Sequence, residues 1–159
     1  MNRRTLTTMA LLGLAAATAL PQIAFAQSDP FLGTWQLNLA KSKYSPGPPP
    51  KSQTANIQGD GQNHRVTTTG IDAAGKPTSA AFTRIYDGMP HPGVTPDFDA
   101  LSLTRVDDHT LIISRTKAGK LVQTVTNVVS QDGKTNTITT NGTDGNGRPI
   151  NNISVWDKQ

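Results

Sequence analysis

The 159-residue sequence has no cysteine and no glutamate; its eleven acidic residues are all aspartate. Without cysteine there can be no disulfide framework, no thiolate metal site and no thiol nucleophile. Without glutamate the chain lacks a strong helix former, while Thr, Val, Asn and Gly are common in it. Thr and Val are stiff at χ1 and suit strands, and Asp, Asn and Gly suit turns. Strong net charge is also absent. The formal value is +4, and it falls to +2 once Arg3 and Arg4 are set aside. With no clustered Lys/Arg face, nucleic acid is excluded as the expected partner.

There is one long apolar run, Met9 to Leu20. It is short and broken by Thr, Gly and Pro21, whereas a membrane span needs ~20 apolar residues. Arg3 and Arg4 precede it and Ala24-Phe25-Ala26 follows, which is the layout of a signal peptide over residues 1–26 with Gln27 as the new N-terminus. No cysteine follows the run, so a lipid anchor on cysteine is excluded. Asn2-Arg3-Arg4-Thr5-Leu6 is similar to a twin-arginine signal, an alternative to the ordinary Sec route. The expectation is a periplasmic or secreted domain over 27–159, with no integral membrane segment in the mature chain. Lacking disulfides, it must bury enough apolar surface by itself.

Alternation and turn signals give about nine strands: 34–39, 53–58, 64–69, 78–86, 100–106, 110–116, 121–130, 136–141 and 149–156. Turn residues such as Asp132-Gly133 and Asp144-Gly145-Asn146-Gly147 separate them, and Asp-Gly supplies the positive φ of tight hairpins. Spacing of this kind suits sequential antiparallel pairing and leaves no room for helical crossovers. Two Pro-rich segments, 41–51 and 87–99, are expected as loops, either covering a barrel mouth or acting as stiff connections. The stretch from Asp60 to Pro77 is echoed from Asp132 to Pro149 at an offset of 72, and each copy leads into a strand ending aromatic-Asp. Duplication and convergent hairpin chemistry both explain the echo. Many short strands must dispose of their edges, and a barrel does so by joining first strand to last. A β-sandwich is the rival architecture. The continuous meander favours a single antiparallel up-and-down barrel of about eight or nine strands.

Gly33-Thr34-Trp35-Gln36-Leu37-Asn38, close behind the cleavage site, resembles the lipocalin signature Gly-x-Trp. With Lys41-Ser42-Lys43-Tyr44-Ser45-Pro46-Gly47-Pro48, Tyr86-Asp87-Gly88 and Asp132-Gly133-Lys134-Thr135, it resembles a group of bacterial exported lipocalin-like (calycin-type) proteins. The resemblance implies an all-β lipocalin-like barrel, an N-terminal Trp packing at the closed end and a cavity for a small molecule. Trp35, and with it Gly33 and Trp156, is then expected to close the barrel. The chain departs from ordinary lipocalins in having no cysteine, no evident C-terminal helix and only 5% aromatic residues, which argues against a large apolar cavity.

Candidate ligand contacts fall on the strand 78–86. Ala80, Phe82, Arg84 and Tyr86 share one face by period-two alternation. Were that face inward, Arg84 and Tyr86 would hold a carboxylate and Phe82 an apolar tail, an arrangement similar to the Arg-x-Tyr device of fatty-acid-binding barrels. Arg is rarely buried without a partner, so the default is an outward, solvated Arg84. Arg105 and Arg115 face the same question. His64, His91 and His109 match no metal spacing. His91, Asp97 and Asp99 are the one group that folding could gather. No nucleophile elbow or phosphate loop is present. The sequence therefore points to no enzyme, metal or cofactor, and to a binding barrel for a small amphipathic or anionic molecule. The alternative is a filled barrel acting as an envelope interaction or stress-protection module with a protein partner. A third expectation is an enzyme built around His91, Asp97 and Asp99.

Overall fold

A computed structural model describes residues 29–60, 62–95 and 97–159, so the expected signal peptide lies outside the described residues. The chain forms ten strands: β1 (Gly33–Lys43), β2 (Ser52–Gly59), β3 (Asn63–Ile71), β4 (Pro77–Ile85), β5 (His91–Thr95), β6 (Phe98–Asp107), β7 (Thr110–Lys117), β8 (Lys120–Val129), β9 (Thr135–Thr143) and β10 (Pro149–Lys158). They make one antiparallel sheet in the order β4-β3-β2-β1-β10-β9-β8-β7-β6-β5. First strand pairs with last, so the up-and-down meander curls round on itself. The seam lies between β4 and β5, which follow one another in the chain yet share no ladder among the described residues.

Ten strands replace the expected eight or nine. The additional one is β5, inside the segment 87–99 that reads as a Pro-rich loop. Pro92 has no N–H to donate, which disqualifies it from a central strand but not from an edge. β5 is an edge strand and pairs with β6 alone, with an irregular register between Pro92 and Thr95.

Directly opposed residues share a face, so the register fixes what points inward. Trp35 opposes Ala55 on one side and Lys158 on the other, and Leu37 opposes Trp156. Ile57 opposes Val66, and Val129 opposes Asn136. These residues meet at one end in a cluster of Phe31, Trp35, Leu37, Ala55, Ile57, Val66, Leu111, Val129 and Trp156. Above it Leu103, Ile113 and Val125 form a second layer. Each fully buried aliphatic here contributes about 1.5–3 kcal/mol relative to exposure. The lower half of the interior is thus filled by side chains.

Residues Asp29–Leu32 cap that end. Phe31, fully buried, packs among β1, β2, β7, β8 and β10, and its carbonyl accepts from Trp35 Nε1 at 2.9 Å. Lys158 Nζ donates to the Pro30 carbonyl at 3.1 Å and lies 5.0 Å from the Trp35 ring. Gly33 has φ +118°, and a Cβ there would meet Lys158 Cε at 3.0 Å, so a side chain is doubly disfavoured at this entry to β1.

The echoed hairpins share their turn chemistry. Asp72 and Asp144 each accept from a glycine three residues on and donate to the carbonyl of the residue four on. Their side chains also accept from the Lys76 and Arg148 backbone N–H. At the other end of the sheet the β1–β2 connection folds against β10: Asn151 N donates to Ser45 O, Ser45 N to Asn152 Oδ1, and Tyr44 hydrogen-bonds Ser154.

Candidate functional site

β3 and β4 are held so that His64 opposes Arg84 and Val66 opposes Phe82. His64 and Val66 are buried on the inner face, so Arg84 and Phe82 point the same way. The default reading of a solvated Arg84 therefore fails. β4 has small and hydroxylated residues on both faces, and only its pairing to β3 decides which side turns inward. Arg84 is half-buried, whereas Phe82 remains 44% exposed beside the unpaired edge.

At the base of this face runs a chain of hydrogen bonds. Asp29 accepts two from Arg105, at 2.7 and 2.8 Å, and one from His64 Nε2 at 3.0 Å. The His64 proton thus sits on Nε2, leaving Nδ1 to accept from the Tyr86 hydroxyl at 2.6 Å. Tyr86 oxygen in turn accepts from the Arg84 guanidinium. Arg84, Tyr86, His64, Asp29 and Arg105 therefore form one continuous relay.

The charges in the relay follow from its environment. Burial works against the Asp29 carboxylate, but the hydrogen bonds from Arg105 and the Phe31 N–H, with the nearby positive charge, outweigh it and hold the carboxyl below its ordinary value. Burial pushes His64 down despite the opposing pull of Asp29, so the ring is neutral. Burial likewise raises the Tyr86 phenol, which stays protonated and donating. Arg105, bound to Asp29, is pushed up.

Arg84 and Arg115 differ from Arg105. Neither has a carboxylate within ion-pair distance among the described residues. Arg115 opposes Leu101 and Gln123 on the inner face; its Nη1 donates to Gln123 Oε1 at 2.8 Å and its guanidinium lies 4.7 Å from the Phe98 ring. Arg84 Nη1 and Arg115 Nε are enclosed donors with no partner among the described residues, as is Arg105 Nε, so the difference lies in the missing carboxylate. Burial lowers the pKa of both, and the Arg84 charge pushes Arg115 down further, opposed by Asp97. Deeper in the barrel, Asn127 is fully buried with neither amide atom partnered, and Asn136 Oδ1 is likewise alone.

Of the residues singled out in the sequence, Phe82, Arg84, Tyr86, Arg105 and Arg115 all lie on the inner face. Arg105 is committed to Asp29; the other four are not committed to any carboxylate. Gly33, Trp35 and Trp156 lie at the capped end. His91, Asp97 and Asp99 do not come together. His91 pairs with Asp87 at 2.9 Å, Asp97 accepts from Gly145 N and Asp99 from Ala118 N, each at 2.8 Å. No group of three potential metal ligands occurs among the described residues. Sequence reasoning missed Asp29, which lies outside every strand, and His64, whose inward direction appears only in its burial once the sheet has curled. A recess of about 460 Å³ lies outside the cap, lined by Asp29, Pro30, Leu32, Gly59, Asp60, Arg105 and Asp108. Its Asp29 and Arg105 already satisfy each other.

No protein-family model matches the chain, and no curated protein matches it. Its fold is similar to that of the fluorescent protein UnaG, with a TM-score of 0.54 and 17% identity over 81% of this chain and 97% of that one. It is equally similar to zebrafish ileal bile acid-binding protein, solved with cholic acid, with a TM-score of 0.54 and 15% identity over 82% of this chain and 99% of that one. The chain therefore has a calycin-like fold, an all-β up-and-down curled sheet.

Proposed function

We propose that this is an exported binding protein that holds a small amphipathic anion above the filled half of the barrel. Arg84 and Arg115 receive the acidic group, with Tyr86 positioning Arg84, and Phe82 offers an apolar contact at the mouth. Three enclosed guanidinium N–H groups have no protein acceptor, Arg84 Nη1, Arg105 Nε and Arg115 Nε; Arg105 is already bound to Asp29, so the observation that carries this reading is the other two. Buried donors are nearly always satisfied, and leaving one bare costs about 1–3 kcal/mol. An anion accepting from both would remove that cost. The fold likeness to zebrafish ileal bile acid-binding protein, solved with cholic acid, is in keeping with a small-molecule role. Export rests on the leader-like residues 1–26.

Native mass spectrometry of the protein recovered from the exported fraction of the cells that make it is the test. A co-purified organic acid, lost in Arg84→Gln, is the expected result. Repeated recovery without any adduct, and no binding of decanoate, would refute it.

A second reading is favoured by one observation. Beyond Pro77 at its start, the β4 edge from Thr78 to Thr83 is exposed and uncharged. A protein partner adding a strand there would make the molecule an envelope interaction module. Substituting Ala81 with Lys would abolish such a complex and leave decanoate binding intact.

A further inference from the structure

Resting on the strand-adding reading of the β4 edge, we infer that the added strand comes from a second copy of this chain, β4 against β4, antiparallel, with Ala81 on the two-fold axis. The seam leaves the sheet with two open edges, and they differ. β5 is short, contains Pro92, which has no N–H, and breaks its register with β6 between Pro92 and Thr95. β4 is longer, and every residue from Pro77 to Thr83 is exposed, on the inner side as well as the outer. An edge so open is a template for another strand. Laid on the broken β5 of a neighbour, β4 would find no continuous ladder in a head-to-tail contact. Laid on another β4, it closes a symmetric pair.

The main chain fixes the register. The β3–β4 ladder is bounded by Asp72 N donating to Lys76 O at one end and Tyr86 N donating to Gln62 O at the other. Bonded and non-bonded positions alternate along an antiparallel pair, so Thr78, Ala80, Phe82 and Arg84 turn their N–H and C=O toward β3. Ser79, Ala81 and Thr83 turn theirs to the open edge. With Ala81 opposite Ala81, Ser79 opposes Thr83 in both directions, and each of these residues donates and accepts. Sliding toward the hairpin turn sets Pro77, which cannot donate, against Thr83 and brings Lys76 opposite Arg84. Sliding the other way requires Ile85, which is already half-buried where the strand ends.

The side chains suit the same register. Opposed residues share a face, so Ala80 of each copy lies opposite Phe82 of the other. The Phe82 ring, 44% exposed in the single chain, is then covered against a methyl group. On the other face Ala81 meets Ala81 and Ser79 meets Thr83. No residue from Thr78 to Thr83 is charged, so no like charges oppose one another across the axis.

The test is sedimentation of the protein as exported, beside Ala81→Lys and two single-cysteine variants of a chain that has no cysteine of its own. The unaltered protein should sediment at twice the mass of one chain at about 100 μM and dissociate on dilution. Ala81→Lys, which sets two ammonium groups side by side on the axis, should sediment as a single chain with its circular dichroism spectrum unchanged. Under mild oxidation Ala81→Cys should cross-link two copies, since bonded partners stand ~5.5 Å apart. Thr83→Cys should not, because its two copies lie roughly 14 Å apart along the strands. Single-chain mass for the unaltered protein with no cross-link in Ala81→Cys would overturn the second copy, and so would a dimer that Ala81→Lys leaves intact. A different protein that co-purifies from the exported fraction in place of a second copy, and is lost in Ala81→Lys, would overturn the second copy and leave the strand-adding reading standing. Absence of both dimer and partner would overturn both.

Discussion

Arg105 and Arg115 stand on neighbouring antiparallel strands, both on the inner face, and end in opposite electrostatic situations. Arg105 faces the capped end, where Asp29 meets it with both carboxylate oxygens and His64 and Tyr86 complete the relay. Arg115 lies beyond the Leu103, Ile113 and Val125 layer and has one neutral acceptor, Gln123. The same side chain thus serves two purposes. At the capped end it fastens the N-terminal segment to the sheet. Toward the mouth, with Arg84, it holds positive charge in reserve. A buried charge whose partner is removed destabilises strongly, whereas removing a charge that never had a partner is neutral or helpful. The two ends should therefore respond to mutation with opposite signs.

The largest effect is expected at the capped end. Asp29→Ala strands Arg105 and His64 together and should cost about 3 kcal/mol in urea unfolding at pH 7. Acid should loosen the same region first. His64 lies below its ordinary value of 6.5 and Asp29 below 3.8. Both groups bind more protons when unfolded, so stability must fall as pH falls. The His64 contribution is complete above 6.5 and is lost as pH drops through its folded value; that of Asp29 follows below 3.8. Unfolding midpoints measured from pH 8 to 3 should decline in that order, and His64→Gln should flatten the first part of the decline.

Tyr86→Phe, which removes the donor to His64 Nδ1, should cost about 1–2 kcal/mol by the same unfolding assay. Arg115→Leu should do the reverse of Asp29→Ala. It should leave stability unchanged or raise it by about 1 kcal/mol, while decanoate binding is lost. The smallest effect belongs to His91→Ala. Its Asp87 pair is solvent-exposed, so a change of less than about 0.5 kcal/mol in thermal unfolding is expected. A larger loss there would mean that the β5 edge contributes more to the seam than its one-sided pairing suggests.

The sequence disclosed the meander well because hairpin chemistry is local. Asp-Gly turns and alternation placed nine of the ten strands, and the first-to-last pairing followed from the need to dispose of edges. β5 was hidden because Pro92 and Gly93 write the same signal for a loop and for an edge strand, and only position in the sheet separates the two. The shared face of Phe82, Arg84 and Tyr86 was legible from period two. Its direction was not, since β4 lacks the polar–apolar contrast that would mark a buried side. Asp29 left no local trace. Its role depends on His64 and Arg105, which stand 35 and 76 residues further along the chain. Such a contact exists only once the sheet has curled.

The central claim is that Arg84 and Arg115 are charges the fold itself does not neutralise. Equilibrium urea unfolding of the double variant Arg84→Leu/Arg115→Leu, without ligand at pH 7, tests it most directly. A midpoint equal to or above that of the unaltered protein is the outcome this structure requires. A drop of about 3 kcal/mol or more, the signature of a broken buried pair, would show that both guanidiniums already have their counter-charges and leave no vacancy for an anion.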